Sequence, residues 1–148
     1  MLRTMVLPAL AALAGVGIVL QQALNANLRV ALGSGAWSGF VSFFVGVVCM
    51  GVFALATREP FSLAAAADRL PWWVWCGGFF GAVFVALGLF LVPVIGAATF
   101  FAFLIAGQMA GSLAFDQFGW LGIPVRPVDA TRLLGVVLLV AGVVLVRR

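Results

Sequence analysis

The chain has 148 residues, of which 66% are hydrophobic and only 8% charged, with eight arginines, four acids, no lysine and no histidine. A soluble domain is roughly 45–50% apolar and about 25% charged, and disordered chains are poor in apolar residues, so both classes are excluded and an integral membrane protein remains. The same inventory excludes a His-based metal site, a Ser/His or Cys/His nucleophile pair and a phosphate-cradling glycine loop, and the scattered arginines form no nucleic-acid patch despite a sequence pI near 11.2.

A membrane-crossing helix needs about 20 predominantly apolar residues. Uncharged runs cover 4–28, 30–57, 70–115 and 133–146. The third run is long enough for two spans. It is expected to break at Val92-Pro93-Val94-Ile95-Gly96, because proline lacks an amide donor and disfavours helix at the residue before it. The reading is one all-α membrane domain of five spans, at about 4–26, 36–56, 71–91, 94–115 and 129–146. The first also has features of a signal peptide, with Arg3, an apolar core and an Ala-Leu-Asn-Ala end, but another span follows so soon that it is read as a retained helix. The connection after Arg58 is expected to hold a short surface helix starting at Ser62, a good N-cap before an alanine run. Trp37, Trp72, Trp73, Trp75 and Trp120 sit at span ends, where indole rings prefer the headgroup level. The last span is short, and Arg132 and Arg147 must extend to the two surfaces for it to cross.

Five spans put the termini on opposite sides. Arg3, Arg58, Arg69, Arg126 and Arg132 then face Arg29, Arg147 and Arg148 across the bilayer, a weak positive-inside bias that allows insertion in either sense.

The end of the first span is polar: Gln21-Gln22-Ala-Leu-Asn25-Ala-Asn27-Leu-Arg29. At about 100° per residue, Gln21, Gln22, Asn25 and Arg29 share one face and Asn27 points elsewhere. Amides facing lipid are costly because nothing there can hydrogen-bond them, so this face is read as the wall of a substrate path; interhelical hydrogen bonding is the plainer alternative. In the fourth span Ala102, Ala106, Gly107, Ala110 and Gly111 form a small-residue seam suited to close helix or subunit packing. Gln108 and Ser112 lie beside it and are expected to face the Gln21/Asn25 wall. The pairs Gly35/Gly39 and Gly77/Gly81 also favour dense packing. No carboxylate lies mid-span, where a proton-coupled exporter commonly places one. Asp116 is the one candidate coupling acid, its alternatives being hydration in a loop or a pair with Arg126; Glu59, Asp68 and Asp129 are read as solvated.

Gln22-Ala-Leu-Asn25-Ala-Asn27-Leu28, Ser42-Phe43-Phe44-Val45-Gly46, Gly77-Gly78-Phe-Phe-Gly81, Val92-Pro93-Val94-Ile95-Gly96, Ala106-Gly107-Gln108, Asp116-Gln117-Phe118-Gly119-Trp120 and Arg132-Leu-Leu-Gly135 occur in that order along nearly the whole chain. This ordered set resembles the YdcZ-like family of the drug/metabolite transporter (DMT) superfamily. The family usually has His after the Asp, where this chain has Gln117. The resemblance implies a five-helix half-transporter unit of the bacterial inner membrane, exporting a small molecule by alternating access. It implies a partner that is either a second copy in antiparallel orientation or a related five-helix chain, and the residue inventory gives no reason to expect a cofactor. On that reading Gln21, Gln22, Asn25, Arg29 and Gln108 bind substrate, and Pro93 with Gly96 forms a reversal between spans. The competing reading is a non-transporting subunit of a larger membrane complex, with the small-residue seams as its working surface. An enzyme is disfavoured by the lack of any acid cluster or nucleophile–base pair.

Overall fold

The computed structural model describes residues 2–58, 60 and 62–146, without the side chains of 2–4 and 65. Glu59, Arg147, Arg148 and the Arg3 side chain, which entered the charge reading above, lie outside that set. Among the described residues the fold is all helical: α1 (Leu2–Leu32), α2 (Gly35–Thr57), the short α3 (Leu63–Ala67), α4 (Gly77–Ile95), α5 (Ala97–Phe118) and α6 (Ala130–Val146). Single 3₁₀ turns at Trp72–Cys76 and Trp120–Gly122 precede α4 and follow α5. All five predicted spans are therefore helices, and α3 starts one residue after the expected Ser62.

Two boundaries differ from expectation for local reasons. The helix α1 passes residue 26 because Asn25 and Asn27 do not break it: the Asn27 amide donates to the Ala23 carbonyl of its own helix at 3.0 Å. It ends at Gly33, whose φ of 63° is the left-handed conformation that glycine adopts freely. Ser34 then caps α2, its Oγ accepting from the Trp37 amide at 3.3 Å. In the long third run the break falls inside the expected 92–96 segment, at its last residue Gly96, so the third span runs to Ile95 and not to 91. The helix α4 carries Pro93 inside it and reaches Ile95, and Gly96 alone, at φ 81°, separates it from α5.

Among the described residues, four helical stretches, Met5–Leu32, Gly35–Thr57, Trp72–Ile95 and Ala97–Phe118, are long and apolar enough to cross a membrane. The fifth, α6, has 17 residues and spans about 25 Å at 1.5 Å per residue.

The helices form two compact units, Met1–Phe90 and Leu91–Arg148. Both are inside-out by the standard of a soluble domain. Leu, Val and Phe side chains lie exposed along every long helix, while Gln22, Asn25 and Ser38 are buried. Aqueous solvent would not tolerate so much contiguous apolar surface, whereas lipid does. In the first unit the core is Val85 and Leu89 of α4 against Gly39 of α2, where an added Cβ would sit 3.7 Å from both side chains. Gly81 likewise admits the Phe43 ring at 3.6 Å. Ser38, fully buried, donates from Oγ to the Asn25 carbonyl at 2.7 Å and fastens α2 to α1. In the second unit Phe100 of α5 and Val143 of α6 are the buried apolar residues.

Candidate functional site

The polar face of α1 divides in two. Gln21 and Gln22 are adjacent, so a helix turns them about 100° apart, and in the first unit each meets a different neighbour. Gln21 is exposed and lines a cleft of about 380 Å³ between α1 and α2, with Asn25 and Ser42 as the other polar groups on its wall. Gln22 turns to α4 and is 97% buried there, being 3% exposed. Its amide lies flat on Gly88, where any Cβ would come within 2.6–2.7 Å of the side-chain amide atoms. Only glycine at 88 leaves room for it. Asn25, also 3% exposed, stands between the two directions, one turn along from both.

Neither amide is satisfied: Gln22 Nε2 and Asn25 Nδ2 are buried without a hydrogen-bond partner. Orphaned buried donors cost about 1–3 kcal/mol each, and folded proteins leave few of them.

Arg29 completes the row, one turn beyond Asn25. It is tied rather than free: its NH1 donates to the Leu89 carbonyl, and its guanidinium lies 5.5 Å from the centre of the Phe90 ring. The reason is in the sequence of α4. In a helix the carbonyl of residue 89 accepts from the amide of residue 93, and residue 93 is proline, which has none. Leu89 is 4% exposed, so water cannot replace that donor. Arg29 supplies it from the neighbouring helix. One of the five N–H groups of Arg29 is therefore already committed.

The second unit places the remaining candidates. Gln108 is exposed on α5, and Ser112 beside it donates to the Met109 carbonyl of its own helix at 3.0 Å. Of the small-residue seam, Ala102 lies in a shallow groove against Gly142, Val143 and Val146 of α6. Among the described residues, an added Cβ at Gly107 or Gly111 would meet nothing within 4 Å, and Ala110 is exposed, so none of them occupies this part of the seam.

Asp116 does not pair with Arg126. Its Oδ2 meets Arg132 NH1 at 3.1 Å, in a bridge about one-third exposed. The Arg126 backbone amide instead donates to the Asp116 backbone carbonyl at 2.7 Å. Arg132, read as reaching alone to a membrane surface, is thus held at the start of α6 by a carboxylate of α5.

Three residues given no site role from sequence complete this corner, and Asp129, read as merely solvated, is among them. Gln117 Oε1 accepts from the Val128 amide at 2.7 Å. Asp129 caps α6, its Oδ1 accepting from the Arg132 amide at 2.7 Å. Trp120 stacks on Phe118 at 5.0 Å and meets Phe115 edge-on at 5.7 Å. The Asp129 cap was legible, since an Asp immediately before an apolar helical run is an N-terminal signature. The roles of Ser38 and Gly88 carried no such local signal.

The helices present apolar surfaces to lipid and bury two unsatisfied amide donors, Gln22 Nε2 and Asn25 Nδ2, between them. The family model described as "Putative inner membrane exporter, YdcZ" matches residues 6–145. The chain belongs to this family. It is a multi-pass inner-membrane protein, and membership implies a transporter rather than an enzyme. The chain is also similar to the "Inner membrane protein YdcZ" of Escherichia coli (strain K12), at 28% identity over 135 residues that cover 91% of this chain and 90% of that protein. No solved structure matches.

Proposed function

We propose that this chain is a small-molecule exporter working by alternating access, in which Gln21, Gln22, Asn25 and Arg29 of α1 line the substrate path and Gln108 of α5 is a further substrate-binding amide. The observation that carries this reading is the pair of buried donors with no acceptor, Gln22 Nε2 and Asn25 Nδ2. Structural glue would be hydrogen-bonded, because an unsatisfied amide destabilises the helix pair that it is meant to hold. A transport path keeps such groups for the substrate, which supplies the missing acceptors. Family membership supports the class of activity.

The test compares compounds released by overproducing cells with those released by cells lacking the chain. Asn25→Leu combined with Gln108→Leu is expected to return release to the deletion level, with membrane abundance unchanged. Undiminished release would remove these amides from the path.

Five helices are few to enclose a polar route, and an inverted second unit is the common transporter solution. We infer an antiparallel dimer, with itself or with a related five-helix chain; the unoccupied Gly107/Gly111 stretch of the seam favours such packing. Asp116 is the proposed coupling acid should the export be proton-linked. Reporters fused after Arg148, one active only in the cytoplasm and one only outside it, are both expected to give signal at full-length levels. Signal from one alone would exclude the self-paired antiparallel dimer.

A further inference from the structure

A groove of about 350 Å³ runs between α2 and α4 in the first unit, walled by Gly39, Phe40, Phe43, Ala82, Val85 and Leu89. Its volume is within the range of small-molecule sites, and every side chain on its wall is apolar. The wall also includes Gly35, and two wall residues lie next to Arg29. A Cβ at Gly35 would lie 3.7 Å from Arg29 Cδ and 3.8 Å from Nε, and Leu89 gives Arg29 its carbonyl. Arg29 is not part of the wall itself, but it adjoins the groove through these two wall residues.

That cation lacks a counter-ion. Among the described residues its partners are the Leu89 carbonyl and the Phe90 ring, and the one salt bridge, Asp116–Arg132, is elsewhere. An arginine held in apolar surroundings without a carboxylate is costly, and a guanidinium is shaped to take one through two parallel N–H bonds. The neighbouring donors agree in sign. Asn25 is one turn away on α1, and its buried Nδ2 also lacks an acceptor. An ionised carboxylate is acceptor-only, so it matches the guanidinium and the orphaned donor beside it.

We propose that the α2–α4 groove binds an amphipathic carboxylate, its apolar body between Phe40, Phe43 and Val85 and its anionic head on Arg29. The assignment names the substrate class of the exporter and rests on the transport reading above. The head and the apolar body each decide specificity. A neutral amide carries donors of its own and leaves Arg29 unpaired. A bare small anion satisfies Arg29 but leaves the apolar wall empty.

The experiment is equilibrium dialysis of labelled phenylacetate against the purified chain in phosphatidylcholine nanodiscs, with phenylacetamide and acetate as the paired probes. Phenylacetate is expected to bind saturably and about tenfold or more tightly than either, the factor that a charge-assisted hydrogen bond commonly makes. Ala86→Trp, which fills the groove from an exposed wall position, is expected to lower affinity about tenfold or more. Because Arg29→Gln alone orphans the Leu89 carbonyl, it is combined with Pro93→Ala, which restores a backbone donor. Judged against Pro93→Ala, the combined variant is expected to lose the preference for phenylacetate over phenylacetamide.

Equal binding of acid and amide by the unmodified chain would overturn the proposal. So would loss of phenylacetate binding in nanodiscs of phosphatidylglycerol, because the groove would then be a seat for an anionic lipid headgroup. If phenylacetate fails to bind while Asn25→Leu/Gln108→Leu abolishes export, the substrate class is wrong and the transport reading stands. If phenylacetate binds as described and that variant exports normally, the amide path fails and the groove assignment stands.

Discussion

Arg29→Ala is expected to destabilise the first unit by about 1–3 kcal/mol, the cost of a buried acceptor left without a donor. The size of the effect does not come from the arginine charge. It comes from Pro93, which removes the backbone amide that the Leu89 carbonyl would otherwise use. The check is therefore a double-mutant cycle in detergent micelles, followed by thermal unfolding. Pro93→Ala places an amide four residues beyond Leu89 and lets α4 close its own ladder. In that background Arg29→Ala should cost much less, leaving a coupling of about 1 kcal/mol or more between residues that are not neighbours in sequence. The same cost in both backgrounds would mean that the guanidinium does not stand in for the missing amide. Arg29→Lys is expected to recover part of the loss, since an ammonium can donate to one carbonyl but cannot also lie flat on the Phe90 ring.

This linkage marks where sequence reading stops. Helix existence was legible, because a bilayer sets the length of an apolar run and charges, tryptophans and glycines punctuate it. The bilayer says less about where a proline-containing run breaks. Pro93 has the strongest local signal against helix, yet α4 continues through it because a side chain from α1 repairs the ladder, and the chain breaks at Gly96, where a positive φ is freely available. The amide row on α1 was legible as a polar face. Its division between Gln21 and Gln22 was not, because a face about 100° wide can serve two neighbours and only the positions of α2 and α4 decide which amide meets which. Asp116 shows the same limit: its partner is Arg132 across the α5–α6 turn, and the nearer Arg126 uses only its backbone there.

Gly88→Val is the second large effect. A Cβ at 88 would lie 2.6 Å from Gln22 Oε1, and the valine methyls would extend further into the same space. Gln22 is 97% buried and has no open side to move into, so the added volume should cost about 1–3 kcal/mol, less the few tenths gained by removing a helical glycine. Gln22→Ala makes the room. The valine is expected to be nearly neutral in that background, and thermal unfolding of the single and double variants measures the difference. An equal cost with and without Gln22 would mean that the amide does not rest on Gly88. Gln22→Ala by itself carries the sharper consequence. It removes an unsatisfied buried donor, so stability should hold or rise, whereas an ordinary buried-to-alanine change in a core lowers it by about 2–5 kcal/mol. Export should nevertheless fall, because the donor removed is one that the substrate uses. A stable, export-deficient Gln22→Ala protein is the signature of a polar group retained for transport at the expense of packing. A destabilised protein with normal export would assign Gln22 to the architecture instead.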